Sequence, residues 1–171
     1  VHRVVWAQRT VGAAELHNTM TPFSIVQSND KLWPDDYGVH RDHCRDVLAG
    51  SYDVPYGPPL PPVVLDIGAN VGAFTRWAVQ RWPKCVIHAY EPHPGNFALL
   101  ERTVDSINAA IPFVQWGEIH CHECAVSNRA GSASLRFHGI NCGEWTLMEM
   151  NSVERLPSVE VNMVNAADLP R

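Results

Sequence analysis

A chain of 171 residues is long enough for one domain with a sizeable core and short for a complete doubly wound enzyme with an amino-terminal extension. Thirteen Lys and Arg against eighteen Asp and Glu leave a net charge of −5, so the basic field that dominates nucleic-acid affinity is missing, and no apolar stretch approaches the roughly 18 residues of a membrane span. The five cysteines are an odd number in a domain that folds without staples, and the amino end lacks a charged, apolar and small-residue succession; the expectation is a cytoplasmic protein with reduced thiols and neither nucleic acid nor membrane among its partners.

Residues 1–20 hold an apolar run, Val4, Val5 and Trp6, and a short helical stretch around Ala13 to His17. Phe23 to Val26 reads as a short strand. Tyr37 to Leu48 reads as a helix with Val39, His43, Val47 and Leu48 on or near one face and Gly50 as its stop, while His40, His43, Arg41 and Arg45 form a polar, solvated face. Residues 55–62 contain five prolines, which remove donors and fix φ, so this stretch is a stiff connector. The division expected is an extension and Pro-rich connector over 1–62 and a ligand-binding domain over 63–171.

The domain is organised around residues 63–72, VVLDIGANVG. Val63, Val64 and Leu65 suit a strand buried on both faces of a parallel sheet, and Asp66 closes it. Gly68 and Gly72 allow a tight turn, and residues 74–79 read as the helix that follows. Unsatisfied amides and the positive dipole end make such a turn a place for anionic or hydrogen-bond-accepting groups. The spacing is not G-x-G-x-x-G, so the dinucleotide fingerprint is not matched.

A second strand over Cys85 to Tyr90 ends at Glu91, 19 residues beyond Gly72, where a carboxylate is placed to hold a ribose diol. Pro94 opens a helix whose apolar positions Phe97, Leu100 and Val104 carry it from Asn96 to Val104, and residues 105–117 read as a polar and aromatic connection. Residues 118–126 alternate as a third strand, with Ile119, Cys121, Glu123 and Ala125 on one face. A turn at Ser127 to Gly131, a strand from Ser132 to Phe137, a loop from His138 to Gly143 and a last strand from Val159 to Met163 complete the chain.

Three segments in order, DIGANVGAFT, HAYEPHPGNFALLERTV and ECAVSNRAGSASLRF, resemble the FkbM-type methyltransferases, a branch of the class I S-adenosylmethionine-dependent enzymes. The resemblance covers residues 63–137 and, more loosely, 158–169. It implies an α/β fold, a Rossmann-like class I methyltransferase sheet, mostly parallel, with helices on both faces. It also implies S-adenosyl-L-methionine as cofactor and methylation of a hydroxyl on a small molecule, sugar or glycan. The family continues into an acidic KIDVEGAE-type strand motif that these residues do not contain, so a chain lacking the C-terminal strands is expected. In this frame Asp66 reaches the methionine amino end, the backbone around Gly68, Ala69, Asn70 and Gly72 approaches the methionine part, and Glu91 takes both ribose hydroxyls. Pro92, His93 and Asn96 lie on the ribose and adenine side, and Cys124 and Ala125 flank the adenine. The methyl donor is already activated, so alignment in a dry site is the main requirement. No catalytic base is identified.

Two other readings use different features. A non-catalytic metabolite- or nucleotide-binding fragment keeps the cradle without the chemistry. A zinc-stabilised interaction module draws on Cys121, Cys124, His138 and Cys142, with His120 and His122 beside them. Against zinc, one strand through 118–126 turns Cys121 and Cys124 to opposite faces, so no metal is expected. The six tryptophans, Trp6, Trp33, Trp77, Trp82, Trp116 and Trp145, are scattered singly and read as core or rim packing.

Overall fold

The computed structural model describes Cys44 and residues 63–110, 117–137, 145–147 and 157–170. The expectations for residues 1–43 and 45–62, and for the loop from His138 to Gly143, lie outside the described residues. A first sheet contains β1 (Val63–Ile67), β2 (Val86–Tyr90) and β3 (Ile119–His122), parallel and in that order, with α1 (Ala73–Arg81) and α2 (Pro94–Ala110) in the crossovers. A second sheet has the order β4-β7-β5-β6, built from β4 (Ala125–Ser127), β5 (Gly131–Phe137), β6 (Trp145–Thr146) and β7 (Ser158–Asn165). In it β4 and β7 are parallel, and β5 runs antiparallel to β6 and β7. A 3-10 turn, Ala166–Asp168, closes the described chain, its amide at Ala167 accepted by the Asn165 side chain at 3.0 Å.

Strand periodicity sorts the first sheet into two faces. Val64 of β1, Ile87 of β2 and Ile119 of β3 face the apolar positions of α1, and Ala89 and Cys121 meet Leu100 and Val104 of α2. Residues 73–79 of α1 are all buried, which an amphipathic surface helix would not show. Trp77 lies between Phe74, tilted at 31°, and Trp82, met edge-on at 84°, at centroid distances of 5.3 and 5.4 Å, and Cys44 is fully buried in the same cluster. Gly72 is required twice here. Its φ is +84°, and a Cβ would stand 2.9 Å from Leu100 Cδ1 and 3.0 Å from Thr103 Cγ2. Thr103 in turn donates from its hydroxyl to the Val71 carbonyl at 2.7 Å, fixing α2 against the turn that starts α1.

The opposite face carries Val63, Leu65 and Ile67 with Tyr90 and Cys124, and it receives Val126, Val164 and Leu169 from the second sheet and its end. Both described helices therefore pack on the same face, and helices on both faces are not found among the described residues. Two element boundaries also differ from expectation. The second helix continues to Ala110, because Ile107 extends the stripe of Leu100 and Val104 by one more turn and is itself buried. The strand expected over 118–126 breaks after His122: the Cys124 amide donates to the His122 carbonyl at 2.9 Å, a closure over two residues that takes the chain out of β3 and into the second sheet. The short strand β6 is one that the residue pattern did not single out.

Candidate functional site

The turn after β1 places left-handed backbone at every second residue, with φ of +76° at Gly68, +54° at Asn70 and +84° at Gly72. Such alternation curls the chain tightly, and Asn is the non-glycine residue that tolerates it best. The curl is bolted to the end of β2. The amides of Gly68 and Ala69 both donate to the Tyr90 carbonyl at 2.9 Å, and the Asn70 amide donates to Glu91 Oε2 at 2.8 Å. The other carboxylate oxygen of Glu91 accepts from the His93 amide at 2.9 Å. One buried side chain thus joins the turn after β1 to the turn after β2.

Burial raises the Glu91 pKa, and the nearby Asp66 adds to this, while hydrogen bonds from the His93 and Asn70 amides and the Asn96 side chain pull it down. The two amides and the Asn96 side chain occupy three of the roughly four acceptor positions of the carboxylate, so a diol would take the open position and share or displace the Asn96 contact. Two hydroxyls on adjacent carbons are the donor pair that such an oxygen pair accommodates. Asp66 is fully buried at the end of β1 and accepts from the Thr75 hydroxyl of α1 at 2.7 Å, so it braces the helix start. Asn70 Oδ1 is buried and has no hydrogen-bond partner among the described residues. A buried amide oxygen without a donor costs free energy, of order 1–3 kcal/mol, and a ligand donor would recover it.

His93 is the N-cap of α2. Its carbonyl accepts from the Phe97 amide at 2.8 Å, its Nδ1 accepts from the Asn96 amide at 3.3 Å, and Pro94 occupies the first helical position. Burial lowers the pKa of this imidazole. An accepting Nδ1 means that the proton of the neutral ring sits on Nε2, so this histidine is a donor and not a base in the state described.

The structure therefore brings together Asp66, Gly68, Ala69, Asn70, Gly72, Glu91, Pro92, His93 and Asn96 at the carboxyl ends of β1 and β2. Cys124 lies nearby, buried with Leu65 and Tyr90, and burial raises its thiol pKa. Ala125 goes elsewhere, into the core of the second sheet with Leu135, Val161 and Met163. Trp145 of β6, read from the sequence as packing, reaches the site instead: its ring lies 4.3 Å from that of His93. A lone tryptophan between polar segments carries no periodicity that could have assigned it.

The strand argument against zinc rested on one continuous strand, and the break after His122 removes that premise. Cys121 packs against Ala89 and Leu100, and Cys124 packs against Leu65 and Tyr90; His138 and Cys142 lie outside the described residues. Among the described residues no group of three or more His, Cys, Asp or Glu side chains is arranged to hold a metal ion.

The opposite face of the first sheet carries an unexpected ladder. His88 Nδ1 and His122 Nε2 are 3.0 Å apart, the His120 ring stacks on His88 at 4.8 Å, and the Tyr90 ring stacks on His122 at 4.4 Å. Burial first, then the neighbouring histidines, lowers the pKa values of His88 and His122.

Comparison with known proteins gives three relatives. The chain is 28% identical over 140 residues to Methyltransferase 1 of Beauveria bassiana, covering 75% of this chain and 52% of that protein. It is 28% identical over 110 residues to methyltransferase sdnD of Sordaria araneosa, covering 64% and 37%. It is 32% identical over 96 residues to the 31-O-demethyl-FK506 methyltransferase FkbM of Streptomyces tacrolimicus, covering 55% and 34%. The chain thus spans about half the length of the first of these and less of the others; all three are named methyltransferases, and the likeness to FkbM covers 96 residues. No family model and no solved structure matches it.

Proposed function

We propose that the described residues form the S-adenosylmethionine-holding part of a methyltransferase that acts on a hydroxyl of a small molecule, sugar or glycan. The observation that carries this reading is the Glu91 carboxylate, buried, bolted to the turn after β1 by the Asn70 amide and still able to accept from a diol. Its relatives are named methyltransferases, which supports the reaction class. When bound, the cofactor supplies an activated methyl group on a sulfonium, so the protein's task is to bind, orient and exclude water.

The residues present fit that group. Glu91 would take the two ribose hydroxyls. Asn70 Oδ1, buried and lacking a donor, would accept from the ammonium of the methionine part, and the glycines at 68 and 72 let the ligand approach the backbone. Asp66 would act through Thr75 by fixing the start of α1, and its charge favours an ammonium nearby. An acceptor hydroxyl must lose its proton, and His93 is set as a donor by its cap; in this reading the base comes from outside the cradle.

Titration calorimetry with S-adenosylmethionine and S-adenosylhomocysteine tests this. Saturable binding is expected, with loss of two hydroxyl contacts in Glu91→Ala weakening it at least about 100-fold, since hydrogen bonds to charged groups are worth about 1.5–3 kcal/mol each. A folded protein with no affinity for either compound, or Glu91→Ala binding like the wild type, would sink the assignment. Cytoplasmic residence belongs to the same proposal, and no helix among the described residues is long and apolar enough to cross a membrane.

A further inference from the structure

The place where β6 meets the turn after β2 has no role in the reading above. We infer that Trp145 is a positioning residue for cofactor binding, holding the His93 ring in one orientation so that the turn from Glu91 to His93 keeps its carboxylate set for the ribose. The inference rests on the cofactor reading for its ligand, while its structural half concerns this chain alone.

Three independent features converge on the His93 ring. The Trp145 ring covers it at 4.3 Å with 33° between the planes, and Phe137 of the neighbouring strand backs the indole at 5.3 Å. The Asn96 amide donates to Nδ1. Gly95 occupies the second position of α2, where glycine weakens a helix, and an added Cβ would stand 3.1 Å from His93 Cε1 and 3.3 Å from Nδ1. A glycine with no backbone requirement there is accounted for by the space the imidazole needs. The His93 amide then donates to Glu91 Oε1, so the ring's placement and the carboxylate's are joined through one residue.

The consequence is a pH dependence with a defined sign. Among the described residues the groups around His93 are Glu91 at the end of β2, Gly95 and Asn96 of α2 and Trp145 of β6, and of these Glu91 is the one that titrates. Burial lowers the His93 pKa below its ordinary 6.5, so the neutral ring that accepts the Asn96 amide persists at neutral pH. As pH falls through that lowered value, Nδ1 gains a proton, donor meets donor, and the cap is lost. Affinity for S-adenosylhomocysteine should fall along the same limb. Trp145→Ala uncovers the ring and should move the limb to higher pH; each unit of movement is about tenfold in affinity at a pH on the limb.

The test is the affinity for S-adenosylhomocysteine between pH 5 and 8, together with the His93 pKa by NMR in the ligand-free full chain, for the wild type, Trp145→Ala, Trp145→Phe and Gly95→Ala. Trp145→Phe keeps a ring over His93 and should keep the wild-type profile. Gly95→Ala should displace the ring, with the lost cap and the gained helix propensity nearly offsetting each other, so affinity falls while thermal stability changes little, which a merely structural role would not produce. Should Trp145→Ala fail to fold, Gly95→Ala and Trp145→Phe carry the comparison. An unchanged His93 pKa in Trp145→Ala, or in Gly95→Ala where Trp145→Ala does not fold, overturns the inference, and so does an affinity loss uniform across pH. Absence of binding by the wild type would instead overturn the cofactor reading, and the NMR values would still decide whether Trp145 sets His93.

Discussion

The two sheets of this chain are built on different terms. The first is parallel, and each of its strand connections crosses over through a helix, so its order follows the chain: β1, β2, β3. The second is mixed, and its central strand, β7, is the last in sequence, inserted between β4 and β5. Close backbone approach is concentrated in the first. There Gly117 donates its amide to the Pro83 carbonyl at 2.7 Å, and a Cβ on it would stand 1.7 Å from the Cys85 carbonyl oxygen. In the second sheet Gly131, with φ of +134°, has nothing within 4 Å of where its Cβ would be. One glycine is held by packing and the other by conformation alone.

The largest expected effect therefore comes from Gly117→Ala. The atom it meets is backbone, which cannot swing away as a side chain can, so β3 would have to shift relative to β2. A loss of about 3 kcal/mol or more is expected, at the upper end of overpacking costs, read by urea denaturation. Gly131→Ala should cost only the backbone strain, about 1–3 kcal/mol. Equal losses in the two variants would break the contrast between the sheets.

The same contrast explains what was legible in the sequence. Local patterns fix the first sheet: an apolar run closing on Asp66, two glycines at the turn, a second apolar run ending at Glu91, and Pro94 opening a helix. Each lies next to what it pairs with, so the cradle could be read residue by residue. The second sheet could be read as strands but not as a sheet, because the pairing of Ala133 with Val161 depends on a return over more than twenty residues that no local pattern encodes. The break after His122 was hidden for a related reason. Alternation continues smoothly through Glu123 and Cys124 in the sequence, and only the hydrogen bond from Cys124 back to His122 reveals that the chain changes sheets there. Trp145 reads from the sequence as packing and not as part of the site because its partner, His93, is fifty-two positions away (145 − 93 = 52) and neither residue marks the other. The second sheet thus contributes to the site through one residue whose importance is purely tertiary.

The smallest expected effect lies on the outer face of the first sheet, in the histidine ladder, and it separates the sheets by pH. The His88 and His122 rings are 14° from coplanar with centroids 5.3 Å apart, close to the 3.0 Å nitrogen separation plus a ring radius on either side, so they meet edge to edge and share one proton in an N–H···N bond. Protonating both would set two cations nitrogen to nitrogen, with His120 stacked on one of them and exposed Glu118 3.1 Å from His120 as the nearby carboxylate. The folded pKa values of His88 and His122 are lowered from 6.5, so the unfolded chain binds protons more readily than the folded one. Their contribution to stability is present above pH 6.5 and is lost as pH falls through the lowered folded values. Both rings are partly open to water, which keeps the effect small. Thermal denaturation from pH 7.5 to 5 should show a decline that the His88→Asn, His122→Asn double variant flattens. His120→Asn should remove a smaller part of it, since burial is the largest cause of both lowered values and the His120 charge comes after it. The second sheet, whose core holds Ala125, Leu135, Val161 and Met163, carries no histidine on its described strands. Hydrogen exchange over the same range should therefore show β2 and β3 losing protection before β5 and β7, and loss of protection in the reverse order would mean that the ladder does not govern the acid response.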